Sequence, residues 1–129
     1  MNGERRDFAK YLADTKADTR LPLVADYCGA LINIAIQSVD PAKGVGFYAP
    51  VFEGVTYKLA APVADYAAEF RRRMPTGRSP AFSCNCILNY LYGELEGKRT
   101  EGFVGPITFG EIAYQLLNQT LVYLTIDPA

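Results

Sequence analysis

One run of alternating side chains constrains the fold of this chain more than any other feature. Residues 29–39 read Gly-Ala-Leu-Ile-Asn-Ile-Ala-Ile-Gln-Ser-Val, with isoleucine at positions 32, 34 and 36. Successive side chains of a β-strand point to opposite faces, and β-branched residues favour strands, so the run predicts a strand over 30–38. Its isoleucine face belongs to a core. The opposite face carries Asn33 and Gln37 and is either solvated or the wall of a pocket.

Further strands are predicted on both sides of the chain's midpoint. Two of them, over 47–52 and 55–60, flank the dipeptide Glu53-Gly54, which is typical of a tight hairpin. Pro50 has no amide proton, so its strand lies at a sheet edge or carries a bulge there. Apolar runs predict the remaining strands over 81–86, 106–112 and 120–126, the last two joined by a longer connection over 114–119.

Apolar side chains at helical spacing predict three helices, over about 4–17, 63–73 and 87–95. The second helix ends in Arg71, Arg72 and Arg73, where cations complement the helix dipole. Together with Arg78 these arginines form either a solvated helix end or an anion-binding patch.

The order of these elements predicts an α+β fold. Few helices and several hairpin links indicate a mainly antiparallel sheet of five or six strands, with the helices packed mostly on one face. The chain has 129 residues, the size of one domain. We expect residues 1–20 to form an N-terminal helical arm and residues 21–129 to form a single domain.

Composition excludes several classes of function. Thirteen basic and fourteen acidic residues give a net charge of −1, without the basic excess that nucleic-acid binding needs. The absence of His removes imidazole catalysis and imidazole metal or haem ligation. The charged segment 1–7 and the lack of a long apolar run predict neither targeting nor membrane insertion. Three Cys are too few for a zinc site without His and do not form a disulfide framework, so we expect a cytoplasmic protein without metal or cofactor.

A few side chains could carry chemistry. Cys84 and Cys86 project to the same face of a strand, and buried packing is a better interpretation of them than a metal or redox site. Glu111 lies between apolar strand neighbours, so it is either exposed at an edge or buried with a partner. Asn118 and Gln119 begin the next strand, where amides either satisfy a turn or point into a cleft with Glu111.

Three elements of the C-terminal half follow one another in a recognisable order. They are Phe82-Ser-Cys84, Gly105-Pro-Ile-Thr-Phe-Gly-Glu-Ile112 and Leu117-Asn-Gln-Thr-Leu121. In this order they resemble the C-terminal domain of the FIST family, over about residues 80–126. The chain is also similar to the C-terminal part of a family of uncharacterised bacterial proteins, in which the sequences at 48–54 and 89–97 recur.

The FIST resemblance implies a bacterial signal-input module that senses small molecules such as amino acids, and not a catalyst. Several departures from the family narrow that implication. The family's arginine shortly after the cysteine is replaced by Cys86-Ile87-Leu88, and the haem bound by some members has no His ligand here. The FIST N-terminal domain and a signalling output domain are not found either.

We therefore predict a non-catalytic sensor domain that binds an amino acid or an amine. Glu111 should be partly buried and should meet Asn118, Gln119 or Asn89 across a cleft. The predicted ligand-binding residues are Glu111, Asn118, Gln119, Asn89, Tyr90, Tyr114 and Cys84. The alternative is a protein-interaction module without a ligand, and nine Tyr and a free sheet edge favour a homodimer. An enzyme using Cys84 or Glu111 lacks an evident activating partner.

Overall fold

The computed structural model describes residues 1, 3–74, 77, 79–100, 102–112 and 114–126. Three short helices and ten short strands follow one another along these residues. The elements are α1 (Phe8–Thr15), β1 (Leu23–Tyr27), β2 (Ala30–Ile34), β3 (Ile36–Asp40), β4 (Gly44–Phe47), β5 (Lys58–Leu59), α2 (Tyr66–Arg73), β6 (Phe82–Cys86), α3 (Ile87–Tyr92), β7 (Ile107–Thr108), β8 (Glu111–Ile112), β9 (Gln115–Leu116) and β10 (Leu121–Leu124). The α+β class is therefore confirmed.

The strands form small sheets instead of the single sheet of five or six strands expected from the sequence. Their orders are β2-β1-β5, β10-β6-β7, β3-β4 and β8-β9. Pairing is antiparallel except between β6 and β7, which run parallel. The chain divides into two compact units, residues 1–61 and residues 62–129, each with its own sheets. The predicted division into an arm and one domain at residue 20 stays a prediction.

The first unit is built from two hairpins of adjacent strands. β1 and β2 meet at Cys28 and Gly29, whose φ angles of 55° and 93° are those of the turn that joins two twisted strands directly. The Asp26 carboxylate accepts the Gly29 amide proton and closes this turn. β3 and β4 are joined at 40–44, where the Asp40 side chain accepts the Ala42 amide proton. Sequence analysis missed β1 and its turn.

The predicted strand over 30–38 is interrupted at Ala35. Ile34 pairs with Leu23 of β1, whereas Ile36 pairs with Phe47 of β4, so the chain leaves one sheet and enters another. Ala35 is as buried as its two neighbours, and its carbonyl accepts the Tyr48 amide proton. Three consecutive buried residues break the alternation on which the prediction of one strand depended.

The predicted hairpin over 47–60 is wrong. Residues 48–57 form a loop, and β5 pairs with β1. Pro50 cannot donate to a ladder, and the Phe52 amide donates to the Tyr57 hydroxyl instead of to a neighbouring strand. The turn expected at Glu53-Gly54 is present, with Gly54 at φ 82°, but no strand pair flanks it within the described residues.

The helices are shorter than predicted because their caps lie inside the predicted ranges. Asp7 accepts the Lys10 amide proton and begins α1, and Asp65 accepts the Ala68 amide proton and begins α2. α1 ends at Thr15, and its C-cap residue Lys16 has a left-handed backbone. α3 ends before Gly93 instead of at residue 95. None of the helices that the structure describes has the length and apolar character needed to cross a membrane.

In the second unit, β6 is confirmed as predicted and is the centre of a three-stranded sheet. β10 covers most of the predicted strand over 120–126 and pairs with β6. The predicted strand over 106–112 is wrong as one element, because Phe109 and Gly110 turn the chain between β7 and β8. The predicted open connection over 114–119 contains β9, which forms a hairpin with β8.

Candidate functional site

The carboxylate on which the predicted site depended is exposed. Glu111 begins β8, and its Oε2 accepts the Phe109 amide proton at 3.0 Å. The expectation that Glu111 is at least partly buried is therefore wrong. A carboxylate that binds an amide two residues away stabilises the local turn and remains solvated, so no desolvation cost has to be offset.

The other predicted residues of this segment lie in different environments. Asn118 is fully buried, and its side chain packs beside Gly110, where an added Cβ would come within 3.2 Å of Nδ2. Gln119 is half-buried with φ 49°, and Tyr114 is fully exposed with φ 64° at the β8–β9 turn. The Thr120 hydroxyl donates to the Asn118 carbonyl at 2.8 Å. These contacts match the interpretation in which polar groups satisfy a turn.

Asn89 is the centre of a buried polar cluster in the second unit. It is 2% exposed, its Nδ2 donates to Asn85 Oδ1 at 2.7 Å, and its Oδ1 accepts the hydroxyl proton of Tyr66. Burial, and then the proximity of Cys86, raise the pKa of the Tyr66 phenol. The cluster ties α2 to α3 and the end of β6, a structural use of the predicted residue Asn89.

Cys84 and Cys86 are both buried, as the packing interpretation predicts. The Cys84 thiol lies 3.8 Å from the Thr108 hydroxyl of the parallel strand β7, and Tyr90 is half-buried in α3. The described residues include no group of three His, Cys, Asp or Glu side chains that could hold a metal ion.

The arginines at the end of α2 bind their own helix. Glu69 accepts from Arg72 at 2.7 and 2.6 Å and from Arg73 at 2.5 Å. The hydrogen bonds with Arg72 and Arg73 lower the pKa of Glu69 to about 2. Glu69 therefore neutralises part of this charge, which favours the interpretation as a solvated helix end. Arg78 lies outside the described residues.

A groove of about 530 Å³ lies in the first unit. It opens on the surface between the start of α1, the end of β4 and the loop over 51–57. Its lining residues are mostly apolar or aromatic: Met1, Phe8, Leu23, Phe47, Val51, Phe52, Glu53, Gly54, Val55 and Tyr57.

The floor of this groove belongs to the core of the unit. Leu23 is buried in a cluster with Ile34 and Ala49, and Phe8, Phe47 and Tyr57 pack against that cluster. The rings of Phe8 and Phe47 are stacked, with centroids 6.4 Å apart and an interplanar angle of 15°. Because these side chains are held by the core, one wall of the groove is formed before a ligand arrives.

The Tyr57 side chain holds the opposite wall in place. Its hydroxyl accepts the Phe52 amide proton at 2.9 Å and lies 2.9 Å from the Tyr27 hydroxyl. The hydrogen bond with Tyr57 is the main cause that raises the pKa of Tyr27. Tyr57 thus connects the loop to β1, and the loop presents two exposed apolar side chains, Val51 and Phe52, beside the aromatic wall.

Glu53 supplies the acidic side chain of the groove and is exposed at the turn between Phe52 and Gly54. A carboxylate and several aromatic rings in the lining of one groove suit a cationic group attached to an apolar body. Sequence analysis missed this site because it placed residues 47–60 in a hairpin. The available signal was the density of aromatic residues around Pro50 and Gly54, since neither Pro nor a left-handed Gly continues a ladder.

Comparison with known proteins identifies a family for this chain but no activity. The model of a family of unknown function, DUF6976, matches residues 1–127. No curated protein and no solved structure matches the chain. The resemblance to FIST C-terminal domains therefore stays a prediction.

Proposed function

The chain belongs to the DUF6976 family, and we propose that it is a non-catalytic, sensor-type module that binds a small amine. The proposed ligand has an apolar, aromatic or branched body, and its site is the groove of the first unit. The observation that carries the proposal is the presence of the stacked Phe8–Phe47 pair and the Glu53 carboxylate in the lining of one groove.

The size of the groove supports a small molecule as the occupant. Its volume of about 530 Å³ is within the range of roughly 300–1,000 Å³ that is typical of ligand sites. Val51 and Phe52 are 44% and 57% exposed, so a bound apolar body would remove two large side chains from water. That burial provides the affinity, at about 25 cal/mol for each Å² of apolar surface.

Glu53 is the charged side chain among the residues that line the groove and favours a cation over an anion, while the Met1 ammonium group donates to the Glu4 carbonyl. The Glu53 carboxylate can accept hydrogen bonds from an ammonium group, and charge-assisted bonds of this kind are stronger than neutral ones. Phe8, Phe47 and Tyr57 also line the groove, and an aromatic ring attracts a cation that meets its face through the ring quadrupole. Binding of this kind needs no proton transfer or nucleophile, which is the basis for proposing a non-catalytic role.

Titration calorimetry with two probes of matched shape tests this proposal. Phenethylamine offers a ring and an ammonium group, and phenethyl alcohol offers the ring without the charge. We expect phenethylamine to bind more tightly. Glu53→Gln should weaken it about tenfold and leave the alcohol unchanged, because only the amine uses the carboxylate. Phe52→Ala should weaken both probes, because both use the apolar wall.

Glu111→Gln is the matched control, since it removes an exposed carboxylate from the site that the sequence predicted. It should leave phenethylamine binding unchanged. Loss of binding in Glu111→Gln but not in Glu53→Gln would move the ligand site to the second unit. If Glu53→Gln, Phe52→Ala and Glu111→Gln all bind both probes as tightly as the parent chain does, the groove is not a specific site.

A protein-interaction module is the second candidate function. It is favoured by exposed apolar side chains in the second unit, which include Phe82, Val104, Phe109, Leu124 and Ile126. Large exposed apolar areas often mark interaction sites. The resemblance of residues 80–126 to FIST domains implies recognition of a small molecule, but it concerns the second unit and gives no support to the groove of the first.

A further inference from the structure

We propose that β10 joins two copies of this chain through antiparallel pairing of its outer edge. The proposal is independent of the groove, because it rests on one strand of the second unit. Pairing around a two-fold axis would extend the sheet β7-β6-β10 of one copy into the same sheet of the other, giving six continuous strands.

The hydrogen bonds of β10 identify which backbone groups face outward. The carbonyls of Thr120 and Leu124 accept from Cys86 and Ala81, so alternate residues of β10 point their backbone groups toward β6. Leu121 and Tyr123 therefore point their amide and carbonyl groups away from β6. Among the residues that the structure describes, β6 is the strand paired with β10, and the opposite edge of β10 has no strand partner.

Over the described residues 121–126, this edge has no charged or proline residue to protect it against pairing, and the first charge and proline after it are Asp127 and Pro128. Residues 121–126 read Leu-Val-Tyr-Leu-Thr-Ile. Natural edge strands are usually blunted by Lys, Pro, bulges or a covering element. Leu124 is 57% exposed and is paired with Phe82, which is 53% exposed, so an apolar surface continues from the edge onto β6.

A second copy fits this edge because the strand is complementary to itself. With the two-fold axis at Val122, Leu121 of one copy lies opposite Tyr123 of the other, and the two Val122 side chains face each other. Each Leu121–Tyr123 pair exchanges two backbone hydrogen bonds. Every side-chain pair across the junction is uncharged, so no like charges oppose each other. An edge strand without charge also offers nothing to select a charged peptide, which favours the second copy as the occupant.

Light scattering over a range of concentrations tests whether the pair forms. We expect a mass of twice 14.2 kDa at high protein concentration, falling toward 14.2 kDa on dilution. A mass of 14.2 kDa at every concentration overturns the proposal and leaves a different polypeptide as the occupant of the edge. Open-ended aggregation also overturns it, because a two-fold pair closes.

Leu121→Pro and Leu121→Ala test the backbone pairing. Pro at the first residue of an edge strand is tolerated, and here it removes an outward donor while the bonds to β6 remain. Two bonds are lost in each pair of copies, so the dissociation constant should rise about 30-fold. Leu121→Ala keeps the donor and should change the constant less than Leu121→Pro does. A folded Leu121→Pro variant that pairs as tightly as the parent chain refutes pairing through this edge.

Leu124→Lys and Phe82→Lys test the location without a change of backbone. Both positions are about equally exposed, but Leu124 lies on the edge strand and Phe82 lies one strand inside it. We expect Leu124→Lys to weaken association several-fold more than Phe82→Lys. Equal effects would assign the contact to the sheet face and overturn the edge proposal. Far-ultraviolet circular dichroism confirms folding in each case.

Discussion

In the first unit, the paired strands are mostly neighbours in sequence, whereas in the second unit the main sheet joins distant segments. β1 meets β2 across Cys28-Gly29, and β3 meets β4 across 40–44. In the second unit, by contrast, Phe82 pairs with Leu124, and Asn85 pairs with Ile107. Distant pairing costs more loop-closure entropy, which specific tertiary contacts must offset.

The two units also differ in what they bury. The first unit has an apolar cluster of Leu23, Ile34 and Ala49 with a groove at its side. The second unit buries Ser83, Asn89 and Asn118 and brings backbone segments into close contact. Buried polar groups need correct partners, so the second unit should be the more sensitive to the loss of single atoms.

The largest expected effect comes from one methyl group in the second unit. A Cβ on Gly105 would lie 1.5 Å from the Ser83 carbonyl oxygen, which belongs to the backbone of β6 and cannot rotate away. Gly105→Ala should therefore lower the free energy of unfolding by at least about 3 kcal/mol, above the usual range for overpacking. Urea unfolding, followed by circular dichroism, measures the change.

Gly102→Ala is the control for this substitution. Its φ of 96° strains an Ala, but an added Cβ there meets no atom within 4 Å. We expect a cost of about 1–2 kcal/mol from the left-handed backbone alone. If Gly105→Ala costs no more than Gly102→Ala, the backbone at Gly105 can move away from Ser83 at little cost, which would contradict tight packing of these segments.

A matched pair of hydroxyl deletions compares the two units directly. Tyr66→Phe removes the donor to Asn89, which is 2% exposed, so a buried amide oxygen loses its partner. We expect a loss of about 1–3 kcal/mol. Tyr27→Phe should cost less than about 1 kcal/mol, because the half-buried Tyr57 hydroxyl still accepts the Phe52 amide proton. Equal losses of unfolding free energy would contradict the expectation that the second unit depends more strongly on its buried polar contacts.

The smallest effect concerns the exposed ion pairs of α2. Hydrogen bonds with Arg72 and Arg73 hold the pKa of Glu69 at about 2, below its ordinary value of 4.5. A lowered carboxyl pKa stabilises the folded state above pH 4.5, and this contribution disappears as the pH falls through 2. Because the pair is solvated, the effect on unfolding should be small and should weaken further in salt.

NMR titration of the Glu69 carboxyl carbon measures this pKa directly. In Arg72→Gln the pKa should rise toward 4.5, and the midpoint of acid unfolding should move little. A Glu69 pKa near 4.5 in the parent chain would mean that the arginines are free to bind an external anion. That result would restore the anion-binding interpretation of the patch.

Sequence patterns predicted helices and strands well where a local pattern, an apolar run or helical spacing, decided the structure. β6 and β10 follow their apolar runs, and α1 and α2 follow their helical spacing up to the Asp caps. The patterns failed at Ala35, where the chain leaves one sheet and pairs with a different strand. They also failed at Phe52, whose amide donates to the Tyr57 hydroxyl instead of to a neighbouring strand. Neither event leaves a periodic signal, because each depends on residues that are distant or on the opposite side of a loop.

The candidate site shows the same limit. Glu111 was singled out because its neighbours are apolar, yet Phe109 and Gly110 turn the chain and leave the carboxylate exposed. The groove could not be found from spacing, because its walls come from α1, β4 and the loop over 51–57, which no single period connects. The stacking of Phe8 on Phe47, the anchoring of Tyr57 and the packing of all three on the core cluster hold these segments together.

The amino-acid sequence by itself determined the α+β class, the absence of imidazole chemistry and the position of most helices. These properties depend on residue type and on spacing within a few positions. The tertiary structure decided that the strands divide into small sheets, that Asn89 serves a buried cluster, and that an aromatic groove exists. The physical reason is that burial is a property of the whole chain. A side chain has a core or a solvent environment only after distant segments have packed beside it.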